Sequence, residues 1–150
     1  LGCGPGQSAA FMLESGHTVD AVDASDAFVA AARDRGVSAR KATFDEISGS
    51  EIYGGVWANF SLLHAARKDF IRHLSAIALA LTPGGLLHLG LKEGAGERRD
   101  KLGRFYTYYS EVELRGLLED AGLIVISVDK GEEAGLAGKV EPWIIMVAHA

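Results

Sequence analysis

The chain has 150 residues, a length that supports one domain, residues 1–150, with one hydrophobic core. Its formal net charge of −5 at pH 7 argues against a nucleic-acid partner, because nucleic-acid binders usually present a basic face. No apolar run is long enough to cross a bilayer, and the single cysteine, Cys3, excludes an internal disulfide bond. The composition predicts a cytoplasmic protein without a membrane partner and leaves the oligomeric state open.

Short β-rich runs alternate with helical patterns along the chain. In the first part of the chain, the patterns predict a helix over residues 7–15, a strand over 18–23, a helix capped by Ser25 and closed by Gly36, and a strand over 37–42. They then predict a strand over 55–60, a helix over 69–81 and a strand over 86–91. The last predicted elements are a helix from a Ser110/Glu113 capping box to Gly122 and strands over 123–128 and 143–148. This alternation is typical of an α/β sheet built from parallel crossover connections.

Two stretches read as surface loops because they are polar and contain glycine. They are residues 92–104 and the segment around Gly131, Glu132, Glu133 and Gly135. Pro83-Gly84-Gly85 is expected to break the chain between a helix and the strand that follows it. Trp57 and Trp143 fall on strands and are expected to lie in the core.

The glycine-rich turn at the start of the chain normally follows a strand, and here only Leu1 precedes it. Such a strand would lie in the middle of a parallel sheet, so the fold would be unstable without it. We therefore expect the first strand to be largely missing here and the natural protein to have residues N-terminal to Leu1.

The turn itself has the pattern Gly2-x-Gly4-x-Gly6, followed by a predicted helix from Gln7. Glycines allow a tight turn and the close approach of a ligand, and the helix directs its N-terminal N–H groups back toward the turn. Dinucleotide-binding enzymes use G-x-G-x-x-G instead, whereas position 7 here is glutamine. The pattern alone is also compatible with an ordinary glycine turn.

An acidic residue, Asp23, stands at the end of the second predicted segment, close to the spacing at which a carboxylate accepts hydrogen bonds from ribose hydroxyls. Asp20 competes with it but falls within the strand. Alternatively, Asp23 lies at the N-terminus of a helix and only interacts favourably with the helix dipole. Turn and carboxylate together predict an adenosine-containing cofactor.

Three segments in register resemble the class I S-adenosylmethionine-dependent methyltransferases. Leu1-Gly2-Cys3-Gly4-Pro5-Gly6 is similar to their first motif, Val22-Asp23-Ala24-Ser25 to their acidic second motif, and Leu81-Thr82-Pro83-Gly84-Gly85 to their L-x-P-G-G segment. The resemblance implies a Rossmann-like doubly wound sheet with strand order 3-2-1-4-5-7-6 and an antiparallel seventh strand. Residues 54–93, with Leu62-Leu63-His64, resemble the small bacterial tellurite-resistance and ubiquinone-type members.

The resemblance also implies roles for residues that would hold S-adenosyl-L-methionine. Gly2, Gly4 and Gly6 would line its methionine end, Asp23 would hold the ribose, and Ala24 would lie near the adenine. Phe44 and Asp45 occupy the place of the residue that meets the adenine amino group, although Asp45 could equally cap a short helix at Glu46.

Asn59, Phe60 and Ser61 lie at the carboxyl end of the strand that corresponds to the family's fourth strand, where the resemblance implies that they line the methyl-transfer cleft. Ligands of open α/β sheets bind outside the carboxyl ends of the strands, so topology also favours this placement. We expect Asn59 and Phe60 to contact the cofactor and Ser61 to contact the acceptor.

His64 is the candidate general base, because its ordinary pKa suits proton transfer near neutral pH. A histidine that packs or caps locally is the alternative. The other four histidines show no metal-ligand spacing, so no metal site is predicted.

Cationic and tyrosine side chains cluster between the fifth strand and the next helix, namely Lys92, Arg98, Arg99, Arg104, Tyr106, Tyr108 and Tyr109. The stretch Arg104-Phe105-Tyr106-Thr107-Tyr108-Tyr109 is unusually aromatic for a loop. Such side chains at a cleft mouth can bind a carboxylate, a phosphate or an aromatic ring. The stretch is either a short strand or lid that packs on the core, or a substrate lid in which Arg104 and Tyr108 reach the ligand.

The sequence thus predicts an enzyme that transfers a methyl group from S-adenosylmethionine to a small-molecule acceptor by in-line displacement. An NAD-dependent oxidoreductase is a second hypothesis, weakened by Gln7 and by the L-x-P-G-G segment. A non-catalytic module that only binds the cofactor or a partner is a third, because a fold does not determine a function.

Overall fold

A computed structural model of the chain describes residues 1–135, 138 and 140–150. The chain forms two compact units, Leu1–Glu46 and Ile47–Ala150, which are described separately below. The single domain over residues 1–150 stays a prediction. Within the described residues, none of the helices has the length and apolar character needed to span a membrane.

The first unit contains two helices and a two-stranded parallel sheet. Its elements are α1 (Gln7–Glu14), β1 (Ala21–Asp23), α2 (Asp26–Asp34), β2 (Ala39–Lys41) and a 3-10 turn (Phe44–Glu46). β1 pairs with β2 from Ala21 opposite Ala39 to Asp23 opposite Lys41. Both strands are shorter than predicted, because paired strands extend only as far as their partners do, and β2 starts two residues after Val37.

Local signals in the first unit are confirmed. Ser25 caps α2, since its hydroxyl accepts a hydrogen bond from the N–H of Phe28 at 3.4 Å. Gly16 and Gly36 follow the two helices with φ angles of 88° and 82°, the left-handed conformation that glycine adopts at helix ends. The core of the unit is made of small side chains, namely Ala9, Ala21, Val29, Ala32, Val37 and Ala39.

The second unit contains a four-stranded mixed sheet, a two-stranded antiparallel sheet and two helices. Its elements are β3 (Tyr53–Asn59), a 3-10 turn (Leu62–His64), α3 (Arg67–Ala80), β4 (Leu81–Lys92), β5 (Glu97–Arg99), β6 (Phe105–Thr107), α4 (Glu111–Asp120), β7 (Ile124–Ala134) and β8 (Val140–His149). The sheet order is β3-β4-β8-β7, and β8 is antiparallel to both of its neighbours. This agrees with the 4-5-7-6 part of the expected order, while the full seven-stranded order stays a prediction.

One face of this sheet forms the core of the second unit. Leu87, Leu89 and Leu91 of β4 lie opposite Ala148, Met146 and Ile144 of β8, and all six side chains are buried. α3 contacts β4 and α4 contacts β7, and the apolar stripes of the helices are buried at Phe70, Leu74, Ile77, Leu114 and Leu118. Successive side chains of a strand point to opposite faces of the sheet, so the polar residues discussed below lie on the face opposite this core.

The Pro83-Gly84-Gly85 segment ends α3 as predicted, but it does not delay the next strand. β4 already starts at Leu81, opposite Tyr53, and the segment forms an irregularity before pairing resumes at Leu86. The N–H of Gly84 donates to the carbonyl of Ala150 at 2.8 Å, so the chain end holds the segment in the sheet.

Both predicted loops of the second unit contain strands. β5, within residues 92–104, pairs antiparallel with β6, and Gly131, Glu132 and Glu133 belong to β7. Polar strands of this kind are stabilised by cross-strand partners, which a local hydropathy pattern does not show. Arg99, for example, lies 5.6 Å from the centre of the Phe105 ring on the facing strand.

Candidate active site

The glycine turn of the first unit has the conformation that its sequence predicts. Gly2, Gly4 and Gly6 have φ angles of 65°, 55° and 84°. A Cβ on Gly6 would lie 2.8 Å from Cβ of Ala32, so this glycine permits the close packing of the turn against α2. At Gly4, no heavy atom of the described residues lies within 4 Å of a built Cβ, immediate chain neighbours excepted. The turn is therefore packed at one end and open in its middle.

Asp23 is fastened to this turn by its own carboxylate. One oxygen accepts from the N–H of Gly4 at 2.8 Å, and the other accepts from the N–H of Ser25 at 2.9 Å. Each carboxylate oxygen has a second lone pair, so Asp23 can still accept hydrogen bonds from two neighbouring hydroxyls. Ala24, the next residue, is exposed.

The carboxylate of Glu46 closes the turn after β2. The Glu46 carboxylate accepts from the N–H of Thr43 at 2.7 Å and from the Thr43 hydroxyl at 3.1 Å. These hydrogen bonds lower the pKa of Glu46. Phe44 is half-buried and Asp45 is exposed on the same turn, and their contact with adenine stays a prediction.

The first unit fits an adenosyl cofactor. It combines an open glycine turn, the N–H groups at the start of α1, and a carboxylate held at the carboxyl end of β1. Backbone donors suit the amino-acid carboxylate of such a cofactor, and Asp23 suits its ribose hydroxyls. No group of three or more His, Cys, Asp or Glu side chains within the described part of the chain is placed to hold a metal ion.

In the second unit, Asn59 at the end of β3 is held by a neighbouring strand. Its side-chain oxygen lies 3.0 Å from Nε2 of His88, and His88 stacks on Trp57 with ring centroids 3.7 Å apart. Gly90 permits this approach, because a Cβ there would lie 2.6 Å from the Asn59 oxygen. Trp57 is 39% exposed, so its predicted place in the core is wrong. Burial lowers the pKa of His88, which favours the neutral ring.

Phe60 has a left-handed backbone with a φ of 52°, which is rare for a bulky residue. Its N–H donates to the carbonyl of Gly90 at 2.9 Å, which holds the strained conformation at the carboxyl end of β3. Strain of this kind costs about 1–3 kcal/mol and is concentrated at functional sites. Ser61 follows, and its hydroxyl is buried without a hydrogen-bond partner among the described residues.

His64 is oriented by the β5–β6 hairpin. Its Nδ1 lies 2.7 Å from the carbonyl of Phe105, and its ring lies 4.7 Å from the Tyr106 ring. The Thr107 hydroxyl donates to the carbonyl of Ala65 at 2.7 Å and fastens the same hairpin beside His64. Because a carbonyl only accepts, Nδ1 carries the proton, and Nε2 of the neutral ring is left with its lone pair.

A cleft of about 250 Å³ opens beside His64 within the second unit. The residues that define its chemistry are Phe60, His64, Lys92, Arg104, Tyr106 and Trp143. A hollow of about 190 Å³ adjoins it and shares Lys92, Arg104 and Glu141 with it. Tyr108 lines this hollow, and its side chain is almost fully buried.

Glu141 lines both the cleft and the adjoining hollow. Its carboxylate accepts hydrogen bonds from Lys92, from Arg98 at 3.1 Å and from the Tyr108 hydroxyl at 3.2 Å. Burial acts to raise the pKa of Glu141, but these hydrogen bonds and the charge of Lys92 lower it overall. The Arg98 guanidinium also lies 3.7 Å from the centre of the Tyr108 ring.

Two further arginines, Arg104 and Arg67, are held by partners within the second unit. Arg104 donates two hydrogen bonds to one oxygen of Asp100, at 2.8 and 2.6 Å. Arg67 pairs with Glu113, donates to the carbonyl of Tyr108 at 2.6 Å and lies 4.5 Å from the centre of the Tyr109 ring. Arg67 therefore connects α3 to α4 and to the end of the hairpin, and its position indicates a structural role.

Sequence reasoning missed two residues of the cleft, Glu141 and Trp143. They are two apart on β8, on the face opposite Ile144, and Trp143 lies opposite both Lys92 and Gly131. A Cβ on Gly131 would lie 2.8 Å from Cε2 of Trp143, so the glycine lets the indole lie across β7. The alternation of Glu141 and Trp143 with apolar residues is the available signal, but the sequence predicts Trp143 in the core and predicts no role for Glu141.

Comparison with known proteins identifies the family. The sequence model described as "Methyltransferase domain" matches residues 1–85, more than half of the chain. The crystal structure of 1,6-didemethyltoxoflavin-N1-methyltransferase from Burkholderia thailandensis, with bound 1,6-didemethyltoxoflavin and S-adenosylhomocysteine, is 26% identical over 99% of this chain and 68% of that chain, with a TM-score of 0.79. No curated protein sequence matches the chain significantly.

Two further structures share the fold at lower identity. A methyltransferase from Methanosarcina mazei is 16% identical over 99% of this chain and 89% of that chain, with a TM-score of 0.85. One from Mesorhizobium loti is 16% identical over 99% of this chain and 88% of that chain, with a TM-score of 0.79. Both are described as dependent on S-adenosylmethionine. The chain belongs to the methyltransferase-domain family and is a class I S-adenosylmethionine-dependent methyltransferase with a Rossmann-like fold.

Proposed function

We propose that the protein methylates a small-molecule acceptor bound in the cleft beside His64, with S-adenosylmethionine held by the glycine turn and Asp23. The observation that carries this proposal is the open middle of the turn at Gly4, whose N–H is fixed by the carboxylate of Asp23. The turn is packed at Gly6, but at Gly4 the described residues leave open the space that a Cβ would fill, which suits the approach of a ligand.

The cofactor supplies, when bound, a methyl group already activated by a positively charged sulfur. Gly2, Gly4 and Gly6 would hold its methionine end, Asp23 its ribose and Ala24 its adenine, and Phe44 and Asp45 remain candidates for the adenine amino group. Asn59 and Phe60 are further candidates for cofactor contact. The main task left to the protein is to position the acceptor, which can contribute as much as about 7–11 kcal/mol.

The size of the cleft favours a small acceptor. Its volume of about 250 Å³ lies just below the usual range for small-molecule sites, roughly 300–1,000 Å³. The B. thailandensis relative binds 1,6-didemethyltoxoflavin, which is also a small molecule. Arg104 lines the cleft and Tyr108 the adjoining hollow, so both stay candidates for acceptor contact. Ser61 is a weaker one, because its hydroxyl is buried.

His64 is proposed to take the proton of the acceptor at Nε2. The carbonyl of Phe105 holds the proton at Nδ1, so the ring presents its basic nitrogen and not its N–H at the free edge. This is the tautomer that a general base needs. A cytosolic location is likewise proposed only from the single cysteine, which suits a reducing compartment.

Calorimetric titration of the protein with S-adenosylmethionine, S-adenosylhomocysteine and NAD tests the cofactor assignment. We expect micromolar binding of the two sulfur compounds and none of NAD. Asp23→Ala should weaken this binding strongly, because the ribose hydroxyls lose their acceptor. Asp20→Ala is the matched control, since Asp20 pairs with Arg40 on the surface and should keep full affinity. Binding of NAD alone, or of none of the three, would refute the proposal.

The role of His64 is tested by His64→Asn, whose amide can still donate to the Phe105 carbonyl but offers no basic nitrogen. With 1,6-didemethyltoxoflavin as the first trial acceptor, kcat should fall by about 10²–10⁴. S-adenosylhomocysteine affinity should stay unchanged. An unchanged kcat would show that His64 is only a structural residue.

A further inference from the structure

The two cations that line the cleft, Lys92 and Arg104, are already paired with carboxylates of the protein. Lys92 and Arg98 are bound to Glu141, and Arg104 is bound to Asp100. The acidic partners are the more buried members, with 12% of the Glu141 side chain and 15% of the Asp100 side chain exposed. An anionic acceptor would have to compete with Glu141 for Lys92, or draw Arg104 away from Asp100 and leave that carboxylate without its cation. Uncompensated buried charge is strongly unfavourable.

A cationic acceptor is also disfavoured. Glu141 lines the cleft but already binds Lys92 and Arg98, so its carboxylate is not free to pair with a cationic acceptor. Glu133, the other carboxylate on the lining, is exposed, so water screens its charge. Among the described residues of the lining, the charged side chains of the interior, Lys92, Arg104 and Glu141, are therefore all paired within the protein.

The cleft is lined by aromatic side chains that are held in place by their packing. The Trp143 indole is partly exposed and lies across Gly131, which fixes its plane against β7. Phe60 lines the same cleft and is held by its strained backbone, and Tyr106 packs against His64. Aromatic side chains bind flat rings through stacking and edge-to-face contacts.

We infer that the acceptor is a flat, uncharged aromatic or heteroaromatic molecule that lies against Trp143 and carries the N–H or O–H to be methylated near His64. This inference rests on the proposed function and narrows it. Arginines and tyrosines at this site are otherwise equally suited to a carboxylate or a phosphate. The pairing of the cationic side chains with Asp100 and Glu141 decides between these ligands.

The methylation of such an acceptor needs no reactant besides the cofactor, His64 and water. The acceptor nitrogen or oxygen forms a bond to the methyl carbon while its own proton passes to Nε2 of His64. The bond between that carbon and the sulfonium sulfur breaks, and sulfur keeps the electron pair. His64 then releases the proton to water, so no further reactant is needed.

Four probes of similar size separate shape from charge in calorimetric titrations with S-adenosylhomocysteine present. They are quinazolinone (flat and uncharged), quinazolinone carboxylate (flat and anionic), protonated aminoquinoline (flat and cationic) and octahydroquinolinone (saturated and uncharged). We expect quinazolinone to bind most tightly. A preference for the charged or the saturated probes, or no binding of quinazolinone, would overturn the inference.

Two variants test the residues. Trp143→Leu should weaken quinazolinone binding by roughly three- to tenfold, the range expected for the loss of one aromatic contact. Trp57→Leu is the matched control, because Trp57 is the other tryptophan of the chain and does not line the cleft. Equal effects of both substitutions would contradict stacking on Trp143.

Asp100→Asn keeps the oxygen that accepts from the N–H groups of Leu102 and Arg104 but removes the charge that holds the guanidinium of Arg104. It should therefore raise the affinity for quinazolinone carboxylate, and no gain would contradict the charge argument. S-adenosylhomocysteine binding, measured in parallel, separates the two hypotheses. If the wild-type protein does not bind S-adenosylhomocysteine, the proposed function is refuted. If it binds S-adenosylhomocysteine but does not prefer quinazolinone among the probes, only the acceptor class is refuted.

Discussion

At the scale of single residues, the glycine turn contains two glycines with different tasks. Gly6 allows the turn to touch α2, where a Cβ would lie 2.8 Å from Cβ of Ala32. Gly4 faces open space and its N–H is held by Asp23. Packing thus requires glycine at position 6, whereas ligand approach requires it at position 4.

Alanine substitutions separate these tasks. Gly6→Ala should lower the free energy of unfolding by about 2–4 kcal/mol, since left-handed strain and overpacking add. Gly4→Ala should lower it by only about 1–2 kcal/mol and should weaken S-adenosylhomocysteine binding by about tenfold or more. Urea unfolding and calorimetric titration measure the two effects.

Gly36→Ala is the control for conformational strain. Gly36 has a φ of 82° and open space around a built Cβ, so the variant should lose about 1–2 kcal/mol and bind S-adenosylhomocysteine normally. If Gly4→Ala bound as well as Gly36→Ala, the turn would not be the cofactor site.

At the scale of elements, β8 and the β5–β6 hairpin are joined through one carboxylate. Glu141 of β8 binds Arg98 of β5, and it also binds Lys92 of β4 and the hydroxyl of Tyr108, which directly follows β6. The hairpin in turn supplies the carbonyl that orients His64. The position of the candidate base therefore depends on an ion pair formed by a different strand.

Replacing Glu141 should reveal this connection through pH. Glu141→Gln should lower the free energy of unfolding near neutral pH by about 1–3 kcal/mol, because hydrogen-bonded cations lose their charged partner. The pKa of Glu141 is held below its ordinary value of 4.5. Its contribution is therefore fully present above about pH 4.5 and is lost as the pH falls through the lower pKa of the folded state.

Urea unfolding of wild type and variant at neutral pH and near pH 3 measures the difference. The two proteins should converge in acid. Glu133→Gln is the control, since Glu133 lies opposite Glu141 on β7 but is exposed and should change stability little at any pH. A difference that persisted unchanged in acid would contradict the ion-pair account.

At the scale of the whole molecule, cofactor binding should appear as thermal stability. A ligand at about one hundred times its Kd stabilises the native state by about 2.7 kcal/mol. For a chain of this length, that corresponds to a rise in Tm of roughly 5–11 °C. Differential scanning calorimetry with S-adenosylhomocysteine should show this rise in the wild-type protein. The same ligand should leave the Tm of Asp23→Ala nearly unchanged, and a full rise in that variant would contradict the role of Asp23.

The sequence by itself determined the features that depend on neighbours within one turn or one short crossover. The left-handed glycines, the Ser25 cap and the two-residue alternation of Leu87, Leu89 and Leu91 belong to this class. Asp23 belongs to it as well, because a carboxylate at the end of a strand reaches the turn it faces without help from distant residues. Three such motifs in the correct order were sufficient to indicate the family.

Only the tertiary structure decided which charges and rings meet in the cleft. Glu141 lies 49 residues from Lys92, and His64 lies 41 residues from Phe105, so their contacts depend on strand register and not on local pattern. The same is true of Trp143, whose place follows from a glycine on the facing strand. Hydropathy describes how one segment meets solvent, whereas the partner of a polar side chain is set by the sheet that brings distant segments together.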